Sequence, residues 1–438
     1  MREQHGRGLQ GKQKIRYSAF VWGLVAHALS ARGSLGHHMR TVSGVDISNS
    51  TVQQRREGLQ WEWFEALFSH ILQPLAQHRE KEHLESFHHG LRLLAVDGSW
   101  WSLRNTLANL EASPAGSRSQ CAKRAAFVKW GTAVLLEIGT HQPLAAACAR
   151  MDLEREEGEM NITRRVLGGI PQREGTLLLA DRLYGCGRFI LDAKKAAPNC
   201  EVLMRVSSLR KPKIVALLED GSAIVEVNVK RPGSTRIERT LRLRLVSGQV
   251  WRAQGLGEDE AAKRTEVCLW TTLCDEHKHP GIELLALYAK RWEQELFFRE
   301  LKRHTGRENL LRAGTVAGAQ AEFGAMIIAA SLLAAQRVKA ARQVGLAPTR
   351  LSITKIGRAM EALLPVLSVA GDLLKPGQVE KIIARFMEHT AREARIPPRR
   401  SRSCQRGLRK TVCSWPRIRS RQILDGACLY ALTPVPFP

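Results

Sequence analysis

The chain has 438 residues, of which 44% are hydrophobic, a composition that excludes wholesale disorder and predicts two or three folded domains. Lysine and arginine number 67 against 42 acidic residues, and the net charge of +25 indicates a polyanionic partner. The charge favours a nucleic acid, although a ribosomal or membrane-surface role would fit it equally well. The nine cysteines form no Cys-x2-Cys pair, so neither a zinc ribbon nor a disulfide framework is indicated and we expect a reducing compartment.

The first part of the chain, to about residue 85, has the pattern of helices. Two short helices are predicted, at Ser34–Val42 and Ser48–Gly58, and Ser48 is a suitable N-cap for the second. A DNA-binding helix-turn-helix has this outline and would present three side chains of its second helix to base edges: Gln54, Arg55 and Arg56. Any helical hairpin has the same outline, so both interpretations stay open.

Two aspartates follow apolar runs that are typical of buried strands. Leu91–Val96 is followed by Asp97, and Thr176–Ala180 is followed by Asp181. If the two strands are neighbours, both carboxylates emerge at one edge of the sheet. Taken singly, Asp97 before a glycine would be an ordinary turn and Asp181 an ordinary helix cap. The acidic cluster between positions 152 and 159 is an alternative source of metal ligands if Asp181 does not serve.

The middle of the chain alternates strand and helix patterns and then becomes almost purely β. A strand is predicted at Phe127–Ile138 and a helix at Arg188–Ala197, which together with the two apolar runs indicate an α/β sheet. From Cys200 to Leu273 the pattern is that of strands, with Asp220-Gly221 as a hairpin turn. The alternation of leucine and arginine over positions 241–245 predicts a strand with one apolar and one basic face.

The C-terminal third of the chain contains a helical region and a basic tail. The apolar run from Gly324 to Ala335 is too short to span a bilayer and is predicted to be part of a buried helix. The segment Ala394–Arg421 contains ten lysines and arginines and no acidic residue, which is typical of a tail that attracts DNA without reading its sequence.

Between Tyr288 and Lys302 the sequence predicts a helix that carries a carboxylate among cations on one face. At about 100° per residue, five side chains fall on one stripe: Tyr288, Arg291, Glu295, Arg299 and Lys302. A glutamate that converges with two aspartates could hold two divalent cations for phosphodiester chemistry. The alternative is a solvated face of i,i+4 ion pairs, which accounts for the charges but not for the tyrosine or the two aspartates.

The spacing Tyr-x2-Arg-x3-Glu-x6-Lys in this helix resembles the YREK signature of DDE transposases of the insertion-sequence-four type. The sequences around Asp97 and Asp181 are similar to the first two acidic motifs of that family, and the resemblance extends from about Ile15 through the tail. It implies an RNase H-like mixed sheet with a β-rich insertion between the second and third acids. It also implies that Asp97, Asp181 and Glu295 are the catalytic metal ligands. The residues that it implies to be DNA contacts are Tyr288, Arg291 and Lys302, with Arg182 and Tyr184 flanking the second acid.

The function implied by this resemblance is transposition of an insertion element. The chain would bind terminal inverted repeats, cleave phosphodiester bonds with Mg²⁺, for which we expect Mn²⁺ to substitute, and transfer 3′-OH ends into target DNA. Its partner would be double-stranded DNA and not a membrane, and it would act as a homodimer in the bacterial cytoplasm, associated with the nucleoid. Two alternatives are an RNase H-like DNA nuclease without strand transfer and an idle DNA-binding remnant, and the three intact acids argue against the remnant.

Six regions follow from these patterns. They are a helical DNA-binding region (1–85), a first part of the RNase H-like core (86–199), a β-rich insertion (200–275), a second part of the core with the catalytic helix (276–345), C-terminal helices (346–395) and the basic tail (396–438).

Overall fold

A computed structural model describes most of the chain and divides it into two compact units. The described residues are 16–30, 33–45, 47–104, 106–112, 128–151, 157–252, 265–304, 310–397 and 428–432. Unit 1 comprises Met1–Leu179, Asp192–Cys200 and Arg291–Arg395, and unit 2 comprises Ala180–Leu191, Glu201–Lys290 and Ile396–Pro438. Of the basic segment Ala394–Arg421, the described residues include only positions 394–397, so the character of this segment stays a prediction.

Helices and strands alternate along the described residues. The helices are α1 (Tyr17–Leu29), α2 (Leu35–Ser43), α3 (Asn49–Glu57), α4 (Trp61–Ile71), α5 (Leu107–Glu111), α6 (Glu159–Val166), α7 (Gly187–Ala196), α8 (Gly281–Tyr288), α9 (Trp292–His304), α10 (Val316–Val344), α11 (Ile353–Leu373) and α12 (Pro376–Glu393). The strands are β1 (Phe87–His88), β2 (Leu91–Leu103), β3 (Val128–Glu137), β4 (Gln142–Cys148), β5 (Thr176–Ala180), β6 (Cys200–Val206), β7 (Lys213–Leu217), β8 (Ala223–Lys230), β9 (Ile237–Arg252), β10 (Thr265–Thr271), β11 (Leu310–Leu311) and β12 (Cys428–Leu432).

The two short N-terminal helices form at the predicted positions, as α2 and α3. The Ser34 hydroxyl accepts a hydrogen bond from the His37 backbone N–H (3.1 Å), and the Ser48 hydroxyl accepts one from the Thr51 backbone N–H (3.2 Å). Each hydroxyl thus satisfies a backbone donor that the first turn of a helix leaves open. The predicted N-cap at Ser48 is confirmed, whereas DNA reading by α3 stays a prediction.

Unit 1 contains a mixed sheet with helices packed on it. Its strands lie in the order β4-β3-β2-β5, and β2, β3 and β4 form an antiparallel meander. The short strand β1 is antiparallel to β2, and β11 is parallel to the end of β2. The predicted strands at Phe127–Ile138 and Thr176–Ala180 are β3 and β5, and the α/β class is confirmed.

Strand β2 is longer than the sequence pattern predicts. We expected it to end at Asp97, but it pairs with β3 from Leu94 opposite Glu137 to Leu103 opposite Val128. The reason is that apolar residues resume beyond the Asp-Gly pair: the side chains of Trp101 and Leu103 are fully buried. Continued burial and pairing outweigh the local turn preference of Asp-Gly, so the turn interpretation is wrong.

Helix α10 runs through the core of unit 1. The Phe323 ring packs against the Trp101 and Trp130 rings of the sheet, and Gly324 approaches so closely that a Cβ there would lie 2.4 Å from Phe64 of α4. The helix is long and apolar enough to cross a membrane, but 72% of its most apolar window is buried within the protein. The predicted buried helix is confirmed, and it extends well beyond the apolar run that indicated it.

Unit 2 contains the predicted β-rich insertion. Its strands lie in the order β6-β10-β9-β8-β7, every pair is antiparallel, and β12 adds to β9. Strands β7 and β8 flank Asp220-Gly221, and Gly221 has a φ of +81° that favours glycine in this turn. The hairpin prediction is confirmed.

The prediction of a basic face on β9 is wrong at one of its two arginines. Arg242 is exposed, but the Arg244 side chain is fully buried. Its guanidinium pairs with the Asp220 carboxylate and donates to the Ser222 hydroxyl (2.8 Å) and the His279 carbonyl (2.6 Å). A buried cation is tolerated because these acceptors compensate for its lost hydration.

Candidate active site

Asp97 lies in the middle of β2, opposite Val134 of β3. Its side chain is 20% exposed, and its Oδ1 accepts a hydrogen bond from the Gly98 backbone N–H (2.9 Å). The residues before and after Asp97 along β2 pair with β3, and this pairing fixes the backbone. The carboxylate is therefore held on a rigid element while one of its faces remains open to solvent.

Arg291 joins Asp97 to Glu295. Its Nη2 donates to Oε1 of Glu295 (2.7 Å), and its Nη1 lies 3.8 Å from Oδ2 of Asp97. The structure thus brings together two of the three predicted acids, one from the sheet and one from α9. Two carboxylates on either side of one guanidinium form a site at which positive charge is stabilised.

The predicted helix between Tyr288 and Lys302 is interrupted. Tyr288 is the last residue of α8, a 3-10 turn follows at Ala289–Arg291, and α9 begins at Trp292. A 3-10 turn rotates about 120° per residue, not 100°, so the single stripe that included Tyr288 is wrong. Tyr288 is half-buried and belongs to unit 2, whereas Glu295 belongs to unit 1.

Lys302 lies farther along α9 and against β2. Its ammonium is 3.5 Å from the Trp100 carbonyl oxygen and 5.1 Å from the centre of the Trp101 ring. Burial lowers the pKa of Lys302, and the neighbouring Lys129 ammonium lowers it further. The sequence did not indicate a role for Trp101. In the structure its ring packs in the core and also makes a cation–π contact with the Lys302 ammonium. Arg299, on the same helix, is exposed.

A carboxylate of unit 1 packs over Gly98, the residue that follows Asp97 in β2. Because neighbouring strand residues face opposite sides of a sheet, it lies on the side away from the Asp97 carboxylate. Glu159 begins α6, and a Cβ on Gly98 would lie only 2.4 Å from its Cγ. A side chain at position 98 would force the Glu159 side chain to move. Glu159 belongs to the acidic cluster that we considered as an alternative source of ligands, and positions 152–156 of that cluster lie outside the described residues.

Asp181 follows β5 and belongs to unit 2. Its Oδ1 accepts a hydrogen bond from the Arg182 backbone N–H (2.6 Å) and caps a 3-10 turn at Arg182–Tyr184. Arg182 is exposed and available to a ligand, whereas the Tyr184 ring is fully buried against Phe189. The implied contact of Tyr184 with DNA is therefore corrected: in this conformation its ring is a packing element and cannot touch DNA.

The three predicted DNA-reading residues of α3 differ in their surroundings. Gln54 is exposed and Arg55 is half-buried, but Arg56 packs toward α10, where its Nε would lie 3.4 Å from a Cβ on Gly318. Burial lowers the pKa of Arg56, and the Glu57 carboxylate opposes this shift. Gln54 and Arg55 thus remain candidates for base contacts, while Arg56 joins α3 to the core.

Sequence reasoning missed a charged network behind α9. Glu293 and Glu300 both contact His141, which follows β3, and Glu300 also contacts Arg337 of α10. The sequence showed that the two glutamates share the face opposite Glu295. Their partners could not be predicted, because His141 lies 152 and 159 residues earlier and Arg337 lies 37 residues after Glu300. Only the fold brings these groups together.

Unit 1 thus combines a mixed sheet, an aspartate on β2 and a glutamate on α9, with one arginine between the two acids. Residues 88–332 match the family described as the transposase DDE domain, and the chain belongs to this family. It is 26% identical over 426 residues to the transposase InsG of insertion sequence element IS4 from Escherichia coli K12, covering 92% of this chain and 88% of that relative. The chain is thus an IS4-type DDE transposase, an enzyme that acts on DNA with divalent metal ions.

Among solved structures, an electron cryomicroscopy structure of a piggyBac transposase synaptic complex with hairpin DNA aligns with 87% of this chain. The alignment covers 79% of that protein at 10% sequence identity and a TM-score of 0.42.

Proposed function

We propose that this transposase binds the terminal inverted repeats of its own insertion element, hydrolyses a phosphodiester bond at each end and joins the freed 3′-OH to target DNA. The observation that carries the proposal is the Arg291 guanidinium between the Asp97 and Glu295 carboxylates, in a chain of this family. Exposed Arg182 and Arg299 are suited to bind DNA phosphates. Arg291 lies between two of the acids, and Lys302 lies about two turns after Glu295 on α9.

The proposed metal is Mg²⁺, for which Mn²⁺ would substitute, and its proposed ligands are Asp97, Asp181 and Glu295. Asp97 and Glu295 fit this role because their carboxylates are 20% and 36% exposed and already accommodate one cation, Arg291. Carboxylate oxygens are the ligands that Mg²⁺ prefers. When bound, such ions would activate the attacking oxygen and stabilise the leaving one. Around them, β2 and α9 hold the ligands in place, and Arg291 balances their charge before DNA arrives.

We place the active enzyme in the bacterial cytoplasm, associated with the nucleoid and without a membrane partner, as a homodimer on paired element ends. The net charge of +25 supports DNA as the partner because every neutralised phosphate releases counterions. The buried state of α10 removes the strongest candidate for a membrane-spanning helix among the described residues.

The test replaces each acid by its amide: Asp97→Asn, Asp181→Asn and Glu295→Gln. Each variant should lose about 4 kcal/mol of transition-state stabilisation, roughly a thousandfold in the rate of cleavage, and should still bind element-end DNA. Glu388→Gln on α12, a surface carboxylate paired with Arg392, is the matched control. Near-normal cleavage by any one variant would remove that residue from the proposed site.

A second assay separates transposition from simple hydrolysis. Pre-cleaved element ends with a free 3′-OH are supplied together with a plasmid target, and joined products are counted. Joining supports the transposase, whereas cleavage of intact ends without joining would identify a DNA nuclease. A protein that binds ends but does neither would be an idle remnant.

A further inference from the structure

His141 faces two carboxylates of the catalytic helix at once. Its Nδ1 lies 2.7 Å from Oε2 of Glu300, and its Nε2 lies 2.6 Å from Oε2 of Glu293. Both distances are those of strong hydrogen bonds, and ionised carboxylates can only accept, so with Glu293 and Glu300 ionised both ring nitrogens carry a proton. The ring is 4% exposed, and the geometry is therefore that of a buried imidazolium held between two residues of α9.

The turn that carries His141 is itself fixed to unit 1. The Arg337 guanidinium donates to the Thr140 carbonyl (2.6 Å) and lies 3.5 Å from Oε1 of Glu300. Gly139 and His141 both have positive φ, +89° and +59°. Histidine rarely adopts this backbone conformation, and its cost is tolerated where surrounding contacts determine it. The imidazole is thus presented to α9 by a turn that α10 holds in place.

The two glutamates that His141 binds lie on the opposite face of α9 from Glu295. At about 100° per residue, Glu293 and Glu300 are displaced from Glu295 by about 160° and 140°. Gln294, between them in sequence, donates to the Val134 carbonyl (3.1 Å), and Val134 is the residue of β3 opposite Asp97. These contacts therefore fix both the rotation of α9 and its position along the strand pair that carries Asp97.

We propose that His141 is a positioning residue: as an imidazolium it holds the rear face of α9 and so sets the distance between the Glu295 and Asp97 carboxylates. This inference rests on the proposed function of those two acids. Without the imidazolium, two partly buried carboxylates, 26% and 27% exposed, would repel each other and α9 would rotate or shift. A displacement of about 1 Å of a catalytic group costs on the order of a hundredfold in rate.

The test compares His141→Gln with the matched control His389→Gln, whose ring is 75% exposed on α12. With full-length protein, His141→Gln should lower the single-turnover rate of strand transfer at saturating DNA by on the order of a hundredfold. Its Kd for element-end DNA should change less than about twofold, because long cationic side chains such as those of Arg299 and Lys302 can follow a shift of about 1 Å that disrupts catalytic geometry. His389→Gln should match the wild type in both measurements.

A second variant separates positioning from a loss of folding. His141→Gln combined with Glu293→Gln and Glu300→Gln removes the imidazolium together with both charges that it neutralises. Helix α9 should then return to its wild-type position, and the triple variant should transfer strands at least about tenfold faster than His141→Gln alone. Circular dichroism checks that each variant is folded. If folded His141→Gln transfers strands at the wild-type rate, or if the triple variant recovers no rate, the proposal is wrong. The proposed function fails by a separate result: Glu295→Gln, with His141 unchanged, would then cleave and transfer strands at nearly the wild-type rate.

Discussion

At the scale of single residues, the central feature is that Arg291 occupies a place between two carboxylates that are proposed to bind metal. A guanidinium 2.7 Å from Glu295 and 3.8 Å from Asp97 offsets their mutual repulsion. A divalent ion that uses the same oxygens has to compete with this cation. Arg291 therefore has two opposing effects: it stabilises the arrangement of the two acids before metal binds, and it weakens the affinity of the site for metal.

This competition gives a prediction for Arg291→Ala. Both carboxylates are partly exposed, so solvent screening limits the repulsion between the Arg291 guanidinium and a bound metal ion to about 1 kcal/mol. Without the guanidinium, DNA-free protein should therefore bind Mn²⁺ roughly fivefold more tightly. Isothermal titration calorimetry measures the change. Strand transfer should nevertheless fall, because the cation proposed to bind DNA is removed.

Arg299→Ala is the control for this measurement, since Arg299 is an exposed cation on α9, the helix that begins directly after Arg291. Its Mn²⁺ affinity should equal that of the wild type. An Arg291→Ala protein that binds Mn²⁺ no more tightly than the wild type would show that the guanidinium does not compete for the site.

Single residues also show what a sequence pattern can and cannot predict. Sequence motifs indicated that Asp97 and Glu295 would lie close together, and the structure joins them through Arg291. The break between α8 and α9 within the second motif was not indicated. The burial of Arg244 did not follow, since alternating leucine and arginine predicts a basic face only if both arginines point to solvent. The acceptors of Arg244 come from a turn 24 residues earlier and a carbonyl 35 residues later.

At the scale of elements, local signals predicted most helices and strands but misplaced two ends that bear on the site. Strand β2 passes through Asp97 because its later residues are buried, and the α8–α9 break has no glycine or proline to indicate it. Both errors have one cause: tertiary packing overrides a local preference of a few tenths of a kcal/mol to about 1 kcal/mol. The consequence for the site is that Asp97 sits on a rigid strand and not in a turn.

The contact between His141 and α9 predicts how stability depends on pH. Burial lowers the pKa of His141, but the Glu300 and Glu293 carboxylates outweigh both burial and the nearby Arg337, and the net shift is upward from 6.5. For Glu300, burial acts upward, while His141 and Arg337 bring its pKa down to about 2. A group whose pKa is raised by folding stabilises the protein fully below its unfolded value, and this stabilisation disappears as the pH rises through the folded value.

We therefore expect the difference in free energy of unfolding between wild type and His141→Gln to be largest between about pH 5 and 6.5 and to shrink at more alkaline pH. Urea unfolding at pH 5.5, 7.5 and 9 measures it, with His389→Gln as the control at each pH. A difference that stays constant or grows with pH would mean that His141 is neutral in the folded protein.

At the scale of the whole molecule, the distribution of positive charge separates two tasks that a transposase needs. The tail from Ala394 to Arg421 lies almost wholly outside the described residues, and its sequence has charge without periodicity. Helix α3 has the opposite character, because it is capped, fixed at Val52 and Arg56, and exposes Gln54. We expect the tail to attract any DNA and α3 to discriminate among sequences.

The test of this division uses two variants that keep the fold. In the first, the nine lysines and arginines between positions 399 and 421 become glutamine, which leaves β12 and its pairing with β9 in place. In the second, Gln54→Ala and Arg55→Ala are combined, and Arg56 is retained because it packs toward α10. The tail variant should bind element-end and scrambled duplexes more weakly by similar factors. Its salt dependence should be shallower by about 0.9 log unit per log[salt] for each DNA phosphate that the tail no longer neutralises.

The α3 variant should instead bind the two duplexes with more nearly equal affinity. Each base that α3 no longer reads costs about 1–3 kcal/mol for the specific sequence, so the ratio of the two affinities should fall by at least about tenfold while binding to scrambled DNA changes little. Competition titrations of element-end against scrambled duplex, at one fixed salt concentration, measure this ratio for each variant. An unchanged ratio in the α3 variant would exclude α2 and α3 as a DNA-reading helix-turn-helix, and recognition of the element ends would then fall to the catalytic core and the β-rich insertion.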